Sequence, residues 1–189
     1  ALDAVNDVLY VARYTNHVSI GSRLAVTMSN QYIVKNKNYY YMRWNVENAG
    51  NLLRGIEMGL DNHTNVAAWK TADGGYKFLG VRHSQYIRSD VDWRYYIKLG
   101  EHNQLVLRAY GGVGKPFLNL RELPLERSFY AGGPNSIRAW KARTIGPGSF
   151  KDIEETNFDK LGDAQLEFNL EYRFNLFKIR LIKLTIGLY

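Results

Sequence analysis

The chain has no cysteine, which excludes disulfide staples and thiolate metal sites. It has only four prolines and no biased tract, which excludes a low-complexity chain. No run approaches the roughly 18 consecutive apolar residues of a spanning helix. The start, Ala1-Leu2-Asp3-Ala4, lacks the basic and apolar regions of a signal peptide, so a mature or truncated segment is expected. There is no basic run either. The formal charge of +7 is spread among the acids, which points away from nucleic acid and suits anionic lipid headgroups.

Catalytic and cofactor chemistry is also missing. His17, His63, His83 and His102 show no metal-ligand spacing and fall mostly in or beside expected turns, so they are expected at the surface. Gly111-Gly112-Val113-Gly114-Lys115-Pro116 has proline where a phosphate loop needs serine or threonine. Asp90 and Asp92 share a strand face with Arg94 and Lys98, so mutual neutralisation accounts for them better than a catalytic pair does. No serine sits in a nucleophile elbow. The expectation is no enzyme, no cofactor and no metal.

What the chain does have is alternation. Its 189 residues are 46% hydrophobic and 14% aromatic, with fourteen tyrosines. The mean hydropathy of -0.35 is compatible with barrel strands, in which apolar and polar residues take turns. Short β-type runs are read at Val8 to Tyr14 and His17 to Ser29, the latter with Val18, Ile20, Leu24, Val26 and Met28 on one face. In Tyr39 to Glu47, Tyr40, Met42, Trp44 and Val46 alternate with Tyr41, Arg43, Asn45 and Glu47. The three leading tyrosines suit either an aromatic girdle or a tyrosine-rich soluble strand. Asn51 to Leu60 fits a short helix in a loop.

The clearest row is Val91, Trp93, Tyr95, Ile97 and Leu99 against Asp90, Asp92, Arg94, Tyr96 and Lys98. In a closed barrel the charged row would line a watery lumen and the apolar row would meet lipid. A tight turn at Gly100 to Asn103 leads into a returning strand, Gln104 to Gly112, with Leu105, Leu107 and Ala109 on one face and Arg108 and Tyr110 on the other. Ala164, Leu166, Phe168, Leu170, Tyr172 and Phe174 then oppose Gln165, Glu167, Asn169, Glu171 and Arg173, with a turn expected at Asn175 and a phase shift near Ile182 that suggests a bulge. The acidic 151–160 stretch reads as disordered.

One segment breaks the alternation. Ser128-Phe129-Tyr130-Ala131-Gly132-Gly133-Pro134-Asn135-Ser136-Ile137-Arg138-Ala139-Trp140, with Arg143-Thr144-Ile145-Gly146-Pro147-Gly148, is too rich in turn residues for a strand, yet carries aromatics and arginines a linker does not need. It resembles the sixth extracellular loop of the BamA/TamA-type outer-membrane assembly superfamily, the surface-antigen D15 barrel. Ile137, Arg138 and Trp140 match the family pattern, and Ala139 stands where the family has glycine. Arg82 to Tyr96, Phe117 to Arg127 and Gly162 to Phe174 are similar to the TamA-like lipoproteins of Bacteroidota in particular.

The resemblance implies an all-β fold, a transmembrane antiparallel barrel of sixteen strands in the bacterial outer membrane. Residues 1–189 are then part of one barrel domain and residues 113–162 a lumenal or extracellular loop, with no POTRA domains on this chain. Because this length cannot supply sixteen spanning strands, an incomplete barrel segment is expected. The implied loop residues are Gly132, Gly133, Asn135, Ser136, Ile137, Arg138, Trp140, Gly146 and Gly148. The implied lumenal ion pair is Arg138 with Glu171, Glu167 being the second candidate. Implied partners are outer-membrane lipid, unfolded outer-membrane protein clients and periplasmic or inner-membrane assembly partners. The implied function is assembly of outer-membrane proteins or polypeptide translocation through a laterally opening seam. A passive pore and a soluble ligand-binding β-barrel are the alternatives.

Overall fold

Period-two alternation calls for strands that bury one row and expose the other, and most of the chain obeys it. The computed structural model describes residues 16–32, 37–61, 75, 77–78, 80–146, 160–179 and 182–188. The expected strand at Val8 to Tyr14, His63, Gly148 and residues 151–159 lie outside these. In chain order the elements are β1 (His17–Val18), β2 (Gly21–Ser29), β3 (Tyr39–Ala49), α1 (Asn51–Asp61), β4 (Lys77–Phe78), β5 (Val81–His83), β6 (Tyr86–Lys98), β7 (Asn103–Pro116), β8 (Ala164–Ile179) and β9 (Ile182–Leu188).

Six strands form one sheet in the order β2-β3-β6-β7-β8-β9, and β1-β5-β4 form a small second sheet. The chain divides into two compact units. A loop-bearing unit holds residues 1–24, 46–89 and 113–165, and a strand unit holds residues 25–45, 90–112 and 166–189.

The expected single strand from His17 to Ser29 is instead two. β1 pairs in parallel with β5, His17 opposite Arg82, while the Ile20 carbonyl accepts from Gly50 N at 2.8 Å. Local alternation cannot reveal that change of partner. Gly50 itself has φ +80, and a Cβ there would stand 2.2 Å from the Ser84 carbonyl oxygen, so glycine is required where β3 gives way to α1. Its own carbonyl accepts the first helical bond, from Arg54 N at 2.9 Å. The helix expected over Asn51 to Leu60 is present as α1.

The short turn between β6 and β7 forms as expected, closed by Leu99 N donating to Asn103 O at 3.1 Å. Asn175 corrects a second expectation. It does not turn the chain but lies within β8, where its N–H reaches His102 O at 3.2 Å, and the ladder slips by a bulge between Asn175 and Phe177. The bulge therefore precedes Ile182, which opens β9.

The loop-bearing unit has an apolar core of Ala49, Tyr86 and Leu123 with Leu120 packed against it. Gly114 makes room for it, since a Cβ there would meet Leu123 Cδ1 at 2.5 Å. His83 corrects the surface assignment made for the histidines. It is fully buried in β5, and Asn119 Nδ2 lies 3.1 Å from its Nδ1 and 3.2 Å from its carbonyl oxygen. Burial pushes its pKa below the ordinary value, with Arg54 adding to the same effect.

Candidate functional site

The strand unit is inverted relative to a soluble protein. On β8, Leu166 and Phe168 are 74% and 72% exposed, while Glu167 and Glu171 between and beyond them are 6% and 8% exposed. β6 repeats this, with Val91 and Trp93 exposed and Asp90 and Asp92 buried, and Leu99 just past its end is exposed as well. On β2 and β3, Met28, Tyr40 and Trp44 extend the exposed apolar row. Of the three consecutive tyrosines only Tyr40 belongs to that row. Tyr39 stacks on Tyr96 at 4.3 Å, and Tyr41 lies beneath Arg94 at 5.6 Å.

A buried charge survives only if partners replace its water, and here the polar row supplies them. Asp92 accepts a two-point fork from Arg94, at 2.9 Å from Nε and 2.8 Å from Nη2. It also accepts Arg108 Nε at 3.3 Å, and Arg108 Nη1 continues to Glu167 Oε1 at 2.9 Å and Asn169 Oδ1 at 3.2 Å. Arg108 thus ties β6 to β8 across β7. Asn45 Nδ2 donates to Asp90 Oδ2 at 2.7 Å, a separate buried tie between β3 and β6. Glu171 takes the fork of Arg173, with Nε at 2.7 Å and Nη2 at 2.8 Å.

In the loop-bearing unit, the segment after β7 first turns over Pro124, whose carbonyl accepts from Arg127 N and Ser128 N at 2.9 Å each. Ser128 Oγ donates to the Leu123 and Pro124 carbonyls at 3.2 and 3.0 Å. Phe129 pairs with Gly162 through two backbone bonds of 2.8 Å, so the outgoing and returning arms are joined at that level. Beyond it, Gly132 and Gly133 have φ of +91 and +89, and Cβ atoms there would meet the Lys141 carbonyl oxygen at 2.4 Å and the Ala142 methyl at 3.2 Å. These two glycines let the tip double back, closed by Gly133 N to Trp140 O at 2.8 Å. Gly146 also has positive φ, at 84.

The motif residues fall along this path. Ser136 Oγ accepts from Gly132 N at 3.3 Å. Asn135, Ile137, Arg138 and Trp140 are exposed, and Arg138 Nε donates to Pro134 O at 3.2 Å within the tip. Glu167 and Glu171 lie in the strand unit, on the polar row to which alternation assigned them. Sequence reasoning missed Asn45, Arg108, Tyr86, Arg88, Arg127 and Phe129 as site residues. For Arg108 the signal was available, because its face was read correctly. Its cross-strand partners depend on register.

An antiparallel sheet that exposes its apolar row and buries a bonded network of charges defines a segment of a transmembrane β-barrel. The soluble-barrel alternative required Val91, Trp93, Tyr95, Ile97 and Leu99 to be core, whereas Val91, Trp93 and Leu99 are exposed and Tyr95 and Ile97 are only half-buried. Residues 19–187 match the Omp85 superfamily domain, and the chain belongs to that superfamily. Its members are bacterial outer-membrane proteins that assemble or transport polypeptides and are not enzymes.

Proposed function

We propose that this chain forms barrel wall and lumenal loop of a TamA-like machine that inserts outer-membrane proteins or passes polypeptides across the membrane. The observation that carries this reading is the inverted strand unit together with a glycine-shaped loop presenting Ile137, Arg138 and Trp140. An exposed apolar row requires lipid as its solvent, and a rigid bonded wall suits a barrel whose seam opens elsewhere, where free strand edges template a client by β-augmentation. The partners are outer-membrane lipid, unfolded outer-membrane protein clients and periplasmic or inner-membrane assembly proteins.

In this reading residues 113–162 form the loop, and Arg138 pairs with Glu171 or, next along the row, Glu167. Glu171 is a buried carboxylate on the polar row, where charge-assisted bonds from guanidinium groups stabilise it, as the fork of Arg173 does. The test is client assembly in cells carrying full-length protein with Arg138→Ala, Glu171→Gln, or the Arg138→Glu/Glu171→Arg exchange. Both single substitutions are expected to reduce assembly, and the exchange is expected to restore part of it. Unchanged assembly in both singles, or ion conductance with no assembly defect, would overturn the proposal in favour of a passive pore.

A further inference from the structure

The loop is fastened to the sheet by residues outside its motif. Between Leu123 and Phe129 three chemically different ties reach β3 and β6. Leu123 packs with Ala49 and Tyr86. Arg127 Nε forms an ion pair with Glu47 Oε1 at 3.2 Å. The Arg88 guanidinium lies over the Phe129 ring at 4.1 Å, a cation–π contact on a ring that is almost fully buried. Tyr86 joins the first two ties, because its ring belongs to the core and its Oη donates to the same Glu47 oxygen at 2.6 Å.

We infer that Glu47 is a positioning residue that sets where the loop leaves the sheet. The carboxylate is buried, and among the described residues its second oxygen, Oε2, has no hydrogen-bond partner. Among those residues its charge is compensated through Oε1, by one phenol and one guanidinium. Loss of Arg127 leaves a buried anion facing only a neutral donor, and relief requires the root to move. Phe129 is bonded to Gly162, so displacement of one arm carries the other. Above that level the tip residues Asn135 and Ile137 through Ala142 are exposed and follow the root. Glu47 thus acts on Arg138 at a distance. This role rests on the proposed reading of the loop, for without that reading the cluster is an ordinary structural contact.

The experiment uses the full-length protein in lipid vesicles, spin-labelled at two exposed positions through Asn51→Cys and Ala142→Cys, with distances read by pulsed electron resonance. Glu47→Gln and Arg127→Gln are each expected to shift and broaden the Asn51–Ala142 distribution. The double variant should go no further than either single, since both remove one tie. Arg127→Lys, which keeps the charge, should restore much of the native distribution. Heat-modified gel mobility reports whether each variant folds, and Glu47→Asp supplies a milder change where Glu47→Gln does not. An unchanged distribution in both single variants, or additive broadening in the double, overturns the assignment. Assembly scored separately in Arg138→Ala keeps the two proposals apart. Intact assembly there defeats the functional reading, and the distances still decide whether Glu47 sets the loop's position.

Discussion

The two units solve opposite problems with the same strands. In the loop-bearing unit, β3 and β6 contribute Ala49 and Tyr86 to an apolar core completed by Leu123, as in a soluble protein. Further along, those strands contribute Asn45, Asp90 and Asp92 to a buried polar row, and their apolar residues face outward. On β6 one face therefore begins with a buried tyrosine and continues with buried carboxylates. Burial in one unit removes carbon from water. In the other it encloses charges that satisfy one another while carbon meets the surroundings, an arrangement stable only where those surroundings are apolar.

The widest break of this comparison is expected at Arg108. Arg108→Ala removes the cation shared by Asp92 and Glu167 and should cost about 3 to 5 kcal/mol, read as a lower midpoint of denaturant unfolding in lipid. Leu123→Ala attacks the other unit by cavity formation, at about 2 to 5 kcal/mol. Its signature should be faster hydrogen exchange around Ala49 and Tyr86, with the Asp92 neighbourhood unaltered. Phe168→Arg sharpens the contrast between media. It should cost about 2 to 4 kcal/mol in a bilayer if the position lies near mid-depth, and little if the exposed row met water. Equal unfolding midpoints of Phe168→Arg and wild type in vesicles would contradict a lipid-facing row.

The smallest effect is the pH response of His83. Its folded pKa is lowered, so the unfolded chain binds the extra proton first as the solution is acidified. Stability is therefore full above the ordinary histidine value of 6.5 and declines as pH falls through it toward the folded pKa. Protection factors of the β5 amides, corrected for the pH dependence of intrinsic exchange, should fall below about pH 6.5, and His83→Gln should flatten that dependence.

Much of the fold was legible in periodicity. The faces of β3, β6, β7 and β8 follow from spacing alone, because a side-chain period of two leaves only two assignments and the charged row distinguishes them. The partners were not legible. Arg108 reaches Glu167 across fifty-nine residues of sequence, a pairing set by strand register, whereas Arg173 and Glu171 are same-face neighbours on one strand and could have been paired from spacing. His83 was missed for another reason. Histidine is amphipathic and β5 has only three residues, too short to show any period. The split at Ser19 and Ile20 was invisible because both halves are extended and differ only in what they pair with.

Gly114 and Leu123 carry a consequence for how sequences of this kind can drift. A methyl group at residue 114 would stand 2.5 Å from Leu123 Cδ1, so alanine there requires the leucine side chain to shift. A shortened residue at 123 opens the space but loosens the packing on Ala49 and Tyr86. The two positions are thus coupled, and chains bearing a side chain at 114 should tend to carry a smaller or differently placed one at 123.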